Sequence, residues 1–450
     1  MGRPGGGSPG LACHNRSMAL QPAGARGRLA SLALVAILVA ACGSTVPSAS
    51  QVPTLTPAAP SSSPAGPAAS AGPTPNNDAI FGSIETAVQQ LRGLTRRTPV
   101  ARTILTEDQL KALITASFVK SNPPALVAAN EQLEKALGLL PADASLKDLE
   151  VQLLSSQVAG LYDPDTKTMD VVSKTGTIGP IEQITYAHEF DHALQDQAFD
   201  LKKLGLDDTS NSDRALARLS LPEGDATLLM TLWAETNLTP GQLLLLAQQA
   251  NDPSQTAILN AMPDDLKETL LFPYESGLSW VSGLQTSGGW AAVNAAYAKP
   301  PDSTEQILHP DKWASHEAPI AVTIPADLPA RLGAGWTMPL TDTLGELQLR
   351  IWLEQVGKLA PSLAEPAAAG WGGDRVALVE KGSTFGIAII TRWDGGADAV
   401  EFATAAGSTL KLLPLKTALI DAGTTHQVVM FIASDEATIN ALAGALGLAG

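Results

Sequence analysis

Cysteine is almost missing: Cys13 and Cys42 are the only two in 450 residues. A chain cleaved ahead of Cys42 keeps one, which excludes an internal disulfide framework and any thiolate ligand in the body of the chain. Basic residues are scarce as well, 29 against 45 acidic, giving a formal charge of −16. That balance excludes the basic face that a nucleic-acid partner needs. The N-terminal apolar run, residues 29–41, is thirteen long, short of the about 20 residues that span a bilayer. Gly372-Gly373 is not followed by Lys-Ser/Thr, so it is no phosphate loop, and no repeat of fixed period is present.

What is there begins with a targeting segment. Arg26 and Arg28 precede the apolar run, which ends in Val39-Ala40-Ala41-Cys42. This arrangement reads as a signal peptide over residues 1–42. Its end resembles a bacterial lipobox, which implies lipidation of Cys42 and an anchor on the extracytoplasmic face of the cell membrane. Met18 is a second candidate start. Removing residues 1–42 removes Arg3, Arg16, Arg26 and Arg28 and no acid, taking the charge to −20. Residues 43–77 carry eight prolines and no charge. Such a composition cannot bury enough apolar surface to offset chain entropy, so this stretch is expected to be a disordered tether. The remainder, at 45% hydrophobic composition overall, suffices for two domains.

The chemistry concentrates in ITYAHEFDHALQDQ, residues 184–197, which contains His188-Glu189-Phe190-Asp191-His192. Gly179-Pro180 makes a helix start, and Ile181, Ile184, Leu194 and Phe199 recur on a face, with no Gly or Pro through Lys203,. On that helix His188 and His192 stand one turn apart and aim two imidazoles at one point, where zinc would bind. Glu189 projects beside them as a general base for water at the metal. A catalytic zinc site usually has a third protein ligand. Cysteine being unavailable, the choice falls on Glu223 in Leu221-Pro222-Glu223-Gly224-Asp225-Ala226, on a following helix from about 212 to 233 that Pro222 should kink,.

With these residues in view, the chain resembles the gluzincin-type metalloproteases, in which H-E-x-x-H is followed by a glutamate ligand in an E-x-x-A-like setting. The resemblance implies that His188, His192 and Glu223 bind Zn2+ and that Glu189 activates water. Thr227 stands where related families often have Asp, leaving Asp225 as the candidate partner for a histidine. AHEFDHALQDQ, LPEGDA, STEQILHP and AAAGWGGDR together are similar to a largely uncharacterised group of exported bacterial proteins with metalloprotease domains. H-E-F-D-H also resembles the peptide deformylase motif, but that enzyme's cysteine ligand is missing and its chemistry is cytoplasmic.

The expected fold is α+β. A mainly helical, zincin-like domain spans 78–334, with helices near 80–94, 123–139 and 145–157. Thr106 and Gln109 give a capping-box signal. Strands at 158–162 and 167–173 form a hairpin around Asp163-Pro164-Asp165, just ahead of the motif helix. Zincins have this order, and their edge strand takes an extended peptide by strand addition. Further helices are expected at 241–249, 264–271, 274–284 and 290–297. His309, in STEQILHP, and Tyr274 are candidates for a hydrogen bond to the oxyanion. From 335 to 450 a smaller α+β sandwich is expected, with strands at 376–380, 385–393 and 427–433 and helices at 344–356, 397–406 and 436–446. Residues 370–375, GWGGDR, read as a tight turn with Trp371 covering the core.

The function these observations imply is that of an exported, membrane-anchored zinc metallopeptidase whose partners are a peptide or protein substrate and, through Cys42, the membrane. The alternative is a non-enzymatic surface lipoprotein with a structural or vestigial metal site.

Overall fold

In the computed structural model, which describes residues 29–32, 77–173, 177–250, 253–422 and 425–448, the motif stretch forms the helix with the longest unbroken buried run among the described residues of an α+β fold with two small sheets. The elements of the first part are β1 (Leu29–Leu32), α1 (Asn77–Arg92), β2 (Ala101–Leu105), α2 (Glu107–Ser121), α3 (Pro124–Leu137), α4 (Leu146–Gln157), β3 (Val158–Asp163), β4 (Thr168–Val172), α5 (Pro180–Phe199), α6 (Ser212–Asn237), α7 (Pro240–Ala250), α8 (Pro253–Ala261) and α9 (Asp264–Ala296). The second part runs α10 (Thr304–Leu308), α11 (Pro310–Ala314), α12 (Leu328–Leu332), β5 (Thr337–Asp342), α13 (Gly345–Gln355), α14 (Pro361–Ala368), β6 (Trp371–Lys381), β7 (Thr384–Trp393), α15 (Gly396–Leu410), β8 (Lys416–Ala422), β9 (Gln427–Ala433) and α16 (Glu436–Ala445).

The first sheet has the order β1-β3-β4-β2. β3 and β4 form the expected hairpin, Gly160 opposite Val171 and Asp163 opposite Thr168. Asp163 Oδ1 accepts from the backbone N–H of Asp165 at 2.8 Å, closing the turn,. β2 runs parallel to β4, and the three helices between β2 and β3 carry the chain over,. Thr106 and Gln109 make the reciprocal capping box that starts α2,. β1 adds antiparallel to the outer side of β3. Its four residues belong to the apolar run expected to be the targeting segment. The rest of that run, Cys42 and residues 43–76 of the tether lie outside the described residues.

α5 packs against β3, α1 and α6. Consequently every residue from Ile184 to Asp196 is buried. Over these thirteen residues no face of the helix meets water, because β3, α1 and α6 all pack on it. α5 ends at Phe199 although no Gly or Pro occurs before Gly205, since Asp200 adopts a left-handed conformation with φ +61° and a short 3-10 turn follows over Leu201–Leu204,. α6 continues as one helix through Pro222. Of the three helices expected over 264–297, the first two are joined through Pro273, whereas the third is set off within α9 by a kink at Gly288 and Gly289, whose dihedrals are not helical,.

α6 and α9 cross at a pair of glycines. A Cβ on Gly224 would fall 2.3 Å from the Gly277 carbonyl oxygen, and one on Gly277 would fall 2.5 Å from that of Ser220. The two backbones meet where any side chain would hold them apart, one residue from Glu223.

The second sheet, β5-β6-β7-β9-β8, is antiparallel throughout. Side chains alternate across it. Val376, Leu378, Ile387, Ile389, Met430 and Ile432 face a core shared with α13, α14 and α15, whereas Val379, Ala388, Ile390, Val429 and Phe431 face α12 and α16,. The shared core does not stop at residue 334, because it also takes in Leu133, Leu216, Trp280 and Val281 of α3, α6 and α9. The GWGGDR reading changes in part. Gly370 makes a turn with φ +77° and Trp371 is buried, but Gly372 and Gly373 lie inside β6, where residue 320 crosses so closely that a Cβ on Gly373 would fall 2.1 Å from the Ile320 carbonyl oxygen.

Candidate metal centre

α5 and α6 pack side by side and aim three donors at one point. His188 Nε2 lies 3.0 Å from His192 Nε2 and 3.2 Å from Glu223 Oε2, and His192 Nε2 lies 3.4 Å from Glu223 Oε2. Donors held tetrahedrally about 2.0–2.2 Å from one zinc ion are about 3.3–3.5 Å apart. The triangle therefore has the size that zinc requires, to within a few tenths of an ångström. Two imidazole nitrogens and one carboxylate oxygen also form a donor set suited to zinc. All three residues are at most 2% exposed.

The surroundings hold these donors in place. Gln195, one turn along from Asp191, points its Oε1 at His192 Nδ1 at 3.0 Å while its Nε2 donates to Asp191 Oδ2 and to the Pro222 carbonyl. One amide thus fixes a histidine of α5 and reaches into α6 next to Glu223, the kind of outer contact that orients a metal ligand. Sequence reading missed Gln195, although its spacing of three from His192 puts it on the same helix face. Glu189 is fully buried, with Gly160 of β3 against it; a Cβ on Gly160 would come within 3.1 Å of Glu189 Cγ. The Tyr274 ring, from α9, stacks near His188 with centroids 6.4 Å apart.

Asp225 and His309 have other partners than the metal motif. Asp225 accepts two hydrogen bonds from Arg92, both 2.8 Å, and one from the Tyr297 hydroxyl at 2.8 Å. It bolts α1 to α6 and is no histidine partner. Arg92 is fully buried over the Trp290 ring, a role hidden from sequence because 133 residues separate it from Asp225. His309 lies 2.8 Å from Glu346 Oε1, on α13. The ion pair raises its pKa despite burial, and its ring is spent joining the end of α10 to α13.

Charge in the bare centre is divided. Burial and the Glu223 carboxylate oppose one another at His192, and the carboxylate wins, lifting it to about 9. Burial lowers His188. Glu223, which burial alone would raise, is held down at about 2 by His192 and His188. At neutral pH the metal-free centre is a carboxylate, one imidazolium and one neutral imidazole, so a cation must displace a proton.

A second acidic group, Glu305, Glu317 and Asp394, also converges. Lys312 already lies within it, 2.6 Å from Glu305, 2.9 Å from Glu317 and paired with Asp394. The place of a cation there is taken by the chain's own ammonium.

Residues 331–437 match the family described as Domain of unknown function (DUF8575). The match covers β5 to β9, starts beside the change of character at 335, and contains none of His188, His192 and Glu223. No curated protein matches the chain, and no solved structure does. Among the described residues no helix is long and apolar enough to cross a membrane.

Proposed function

We propose that this chain is an exported zinc metallopeptidase, anchored through Cys42, with a zincin-like unit over 78–334 and an α+β unit over 335–450. The observation that carries this reading is the 3.0–3.4 Å triangle of His188, His192 and Glu223 next to a buried Glu189. When bound there, zinc would polarise a carbonyl and acidify water. Glu189 takes the proton from the attacking water and delivers it to the leaving amine. Gln195 keeps His192 oriented, and Tyr274, the oxyanion candidate, packs its ring near His188. His309 is not carried forward in that role, since Glu346 engages it.

Substrate would approach along β3. This strand packs on α5, with Gly160 giving Glu189 room, and its outer side is the one that β1 pairs with. Removal of residues 1–42 takes β1 away and leaves a sheet edge beside the proposed base, free to accept an extended peptide.

A second reading has a specific observation in its favour. His188, Glu189, His192 and Glu223 are all 0–2% exposed, as a structural metal site would be. Against it, a closed structural site has four protein ligands, and only three converge among the described residues. Zinc content of the purified chain, with Glu223→Ala beside it, tests the metal assignment. The expected result is about one zinc per chain and affinity at least ~100-fold weaker in the variant, since loss of even an outer contact costs about 10–100-fold. A parent that takes up no zinc when supplied with it would end the proposal.

A further inference from the structure

A second accumulation of buried acid lies elsewhere, where the leucines of α3, α4, α6 and α9 face the turn between β5 and α13. They enclose a cavity of about 120 Å³. Glu134, Glu150, Asp265 and Asn130 also line it, each more than nine-tenths buried. Buried carboxyls ordinarily have a cationic or hydrogen-bonding partner. Here, among the described residues, no Lys, Arg or His pairs with the three acids. Lys135 is engaged by Glu131, and Arg350 by Glu268 and Glu354. One oxygen of Glu134, one of Asp265, and both amide atoms of Asn130 have no hydrogen-bond partner in the fold.

We propose that this cavity is a binding site for a linear aliphatic primary amine, its alkyl chain along the leucines and its ammonium group among Glu134, Asp265 and Asn130. An ammonium carries three N–H donors and no acceptor. Glu134 Oε2, Asp265 Oδ1 and Asn130 Oδ1 are three acceptors that the protein itself leaves unused. Glu150 adds a further carboxyl to the lining. The acids do not converge closely enough to form a ligand set like that of the metal centre, and leucine walls offer a hydrated metal ion nothing. An apolar chain that ends in a cation fits both halves of the lining. For size, a cavity of about 150 Å³ holds benzene, so 120 Å³ accommodates about five or six heavy atoms.

The state of the carboxyls agrees. Burial raises all three: Glu134 is pushed up further by Asp265 and Glu150, Glu150 reaches about 8 beside Asp265, and Asp265 reaches about 7 beside Glu268. These acids lack a counter-ion, and an arriving ammonium supplies one. Neither an alkanoate nor an alkanol brings the positive charge that would favour the ionised form of these raised carboxyls,.

Calorimetric titration of the full chain with n-pentylammonium chloride, n-pentanol and sodium pentanoate tests this. The expected outcome is saturable binding of one amine per chain, at least tenfold tighter than pentanol, with no pentanoate binding. Glu134→Gln should weaken the amine at least tenfold and leave pentanol unchanged. Leu216→Phe, which fills the cavity without altering charge, should abolish both. Asp265→Asn carries the same expectation as Glu134→Gln if the latter fails to fold by circular dichroism. No saturable amine binding in the parent overturns the proposal, as does amine binding that equals pentanol binding and ignores the carboxyl variants. The outcome is independent of whether the metal centre is loaded or active.

Discussion

Helix α5 between Ile184 and Asp196 and strand β9 between Val428 and Ala433 are both buried without a break, yet they are made of opposite materials. β9 reads VVMFIA, and hydrophobic transfer accounts for its place between two layers. α5 puts His188, Glu189, Asp191, His192, Gln195 and Asp196 out of water on a single helix, which transfer opposes. Burial alone therefore says little about what a segment is for. Polar burial that must be matched atom by atom, as with Gln195 between two helices, needs an account that hydrophobic transfer does not give.

That contrast can be broken most decisively at Glu189. Glu189→Gln should keep about one zinc per chain by atomic absorption and lose peptide hydrolysis by about 10³-fold, the middle of the range for a general base. Full hydrolysis by this variant would remove α5 from the chemistry. Phe431→Ala, in β9, should do the reverse. It should cost about 3–5 kcal/mol in denaturant unfolding and leave zinc stoichiometry untouched; loss of zinc would mean that the two regions are not separable.

Gln195→Ala sharpens the comparison, since it deletes a buried polar group that never touches the metal. Zinc affinity should fall about 10–100-fold, read by competition with a chelator. Smallest per step is the effect of pH. His192 has its pKa raised to about 9 by Glu223 against the effect of burial, so below that value a proton occupies the place metal needs. Zinc affinity should fall about tenfold per pH unit as pH drops from 9. In the metal-free protein the sign is opposite: protonated His192 stabilises the fold fully below its unfolded value of 6.5, and that contribution fades as pH rises through about 9,.

What could be read from sequence followed local spacing. The four-residue interval of His188 and His192, the capping box at Thr106 and the central strands β6, β7 and β9 all depend on neighbours in the chain, and each was legible. Glu223 was reachable because few ligand types were left. β5 and β8 were missed. They are the two edge strands of the second sheet, where one side faces no partner, so the sequence need not be continuously apolar; β5 even contains Pro339,. Short helices such as α14 were missed for lack of length. Contacts across great separations, Arg92 with Asp225 and His309 with Glu346, leave no local trace, and for that reason the roles of Asp225 and His309 came out differently.

The Arg92–Asp225 bolt has a mechanical side. α1 is the first described element after the proline-rich stretch, and two of its hydrogen-bonded contacts reach the helices of the candidate metal centre: Glu85 accepts from the Tyr186 hydroxyl of α5, and Arg92 grips Asp225 of α6. The same two residues tie α1 to the helix that carries His188 and His192 and to the helix that carries Glu223, so a load on α1 is shared by both helices of the candidate metal centre.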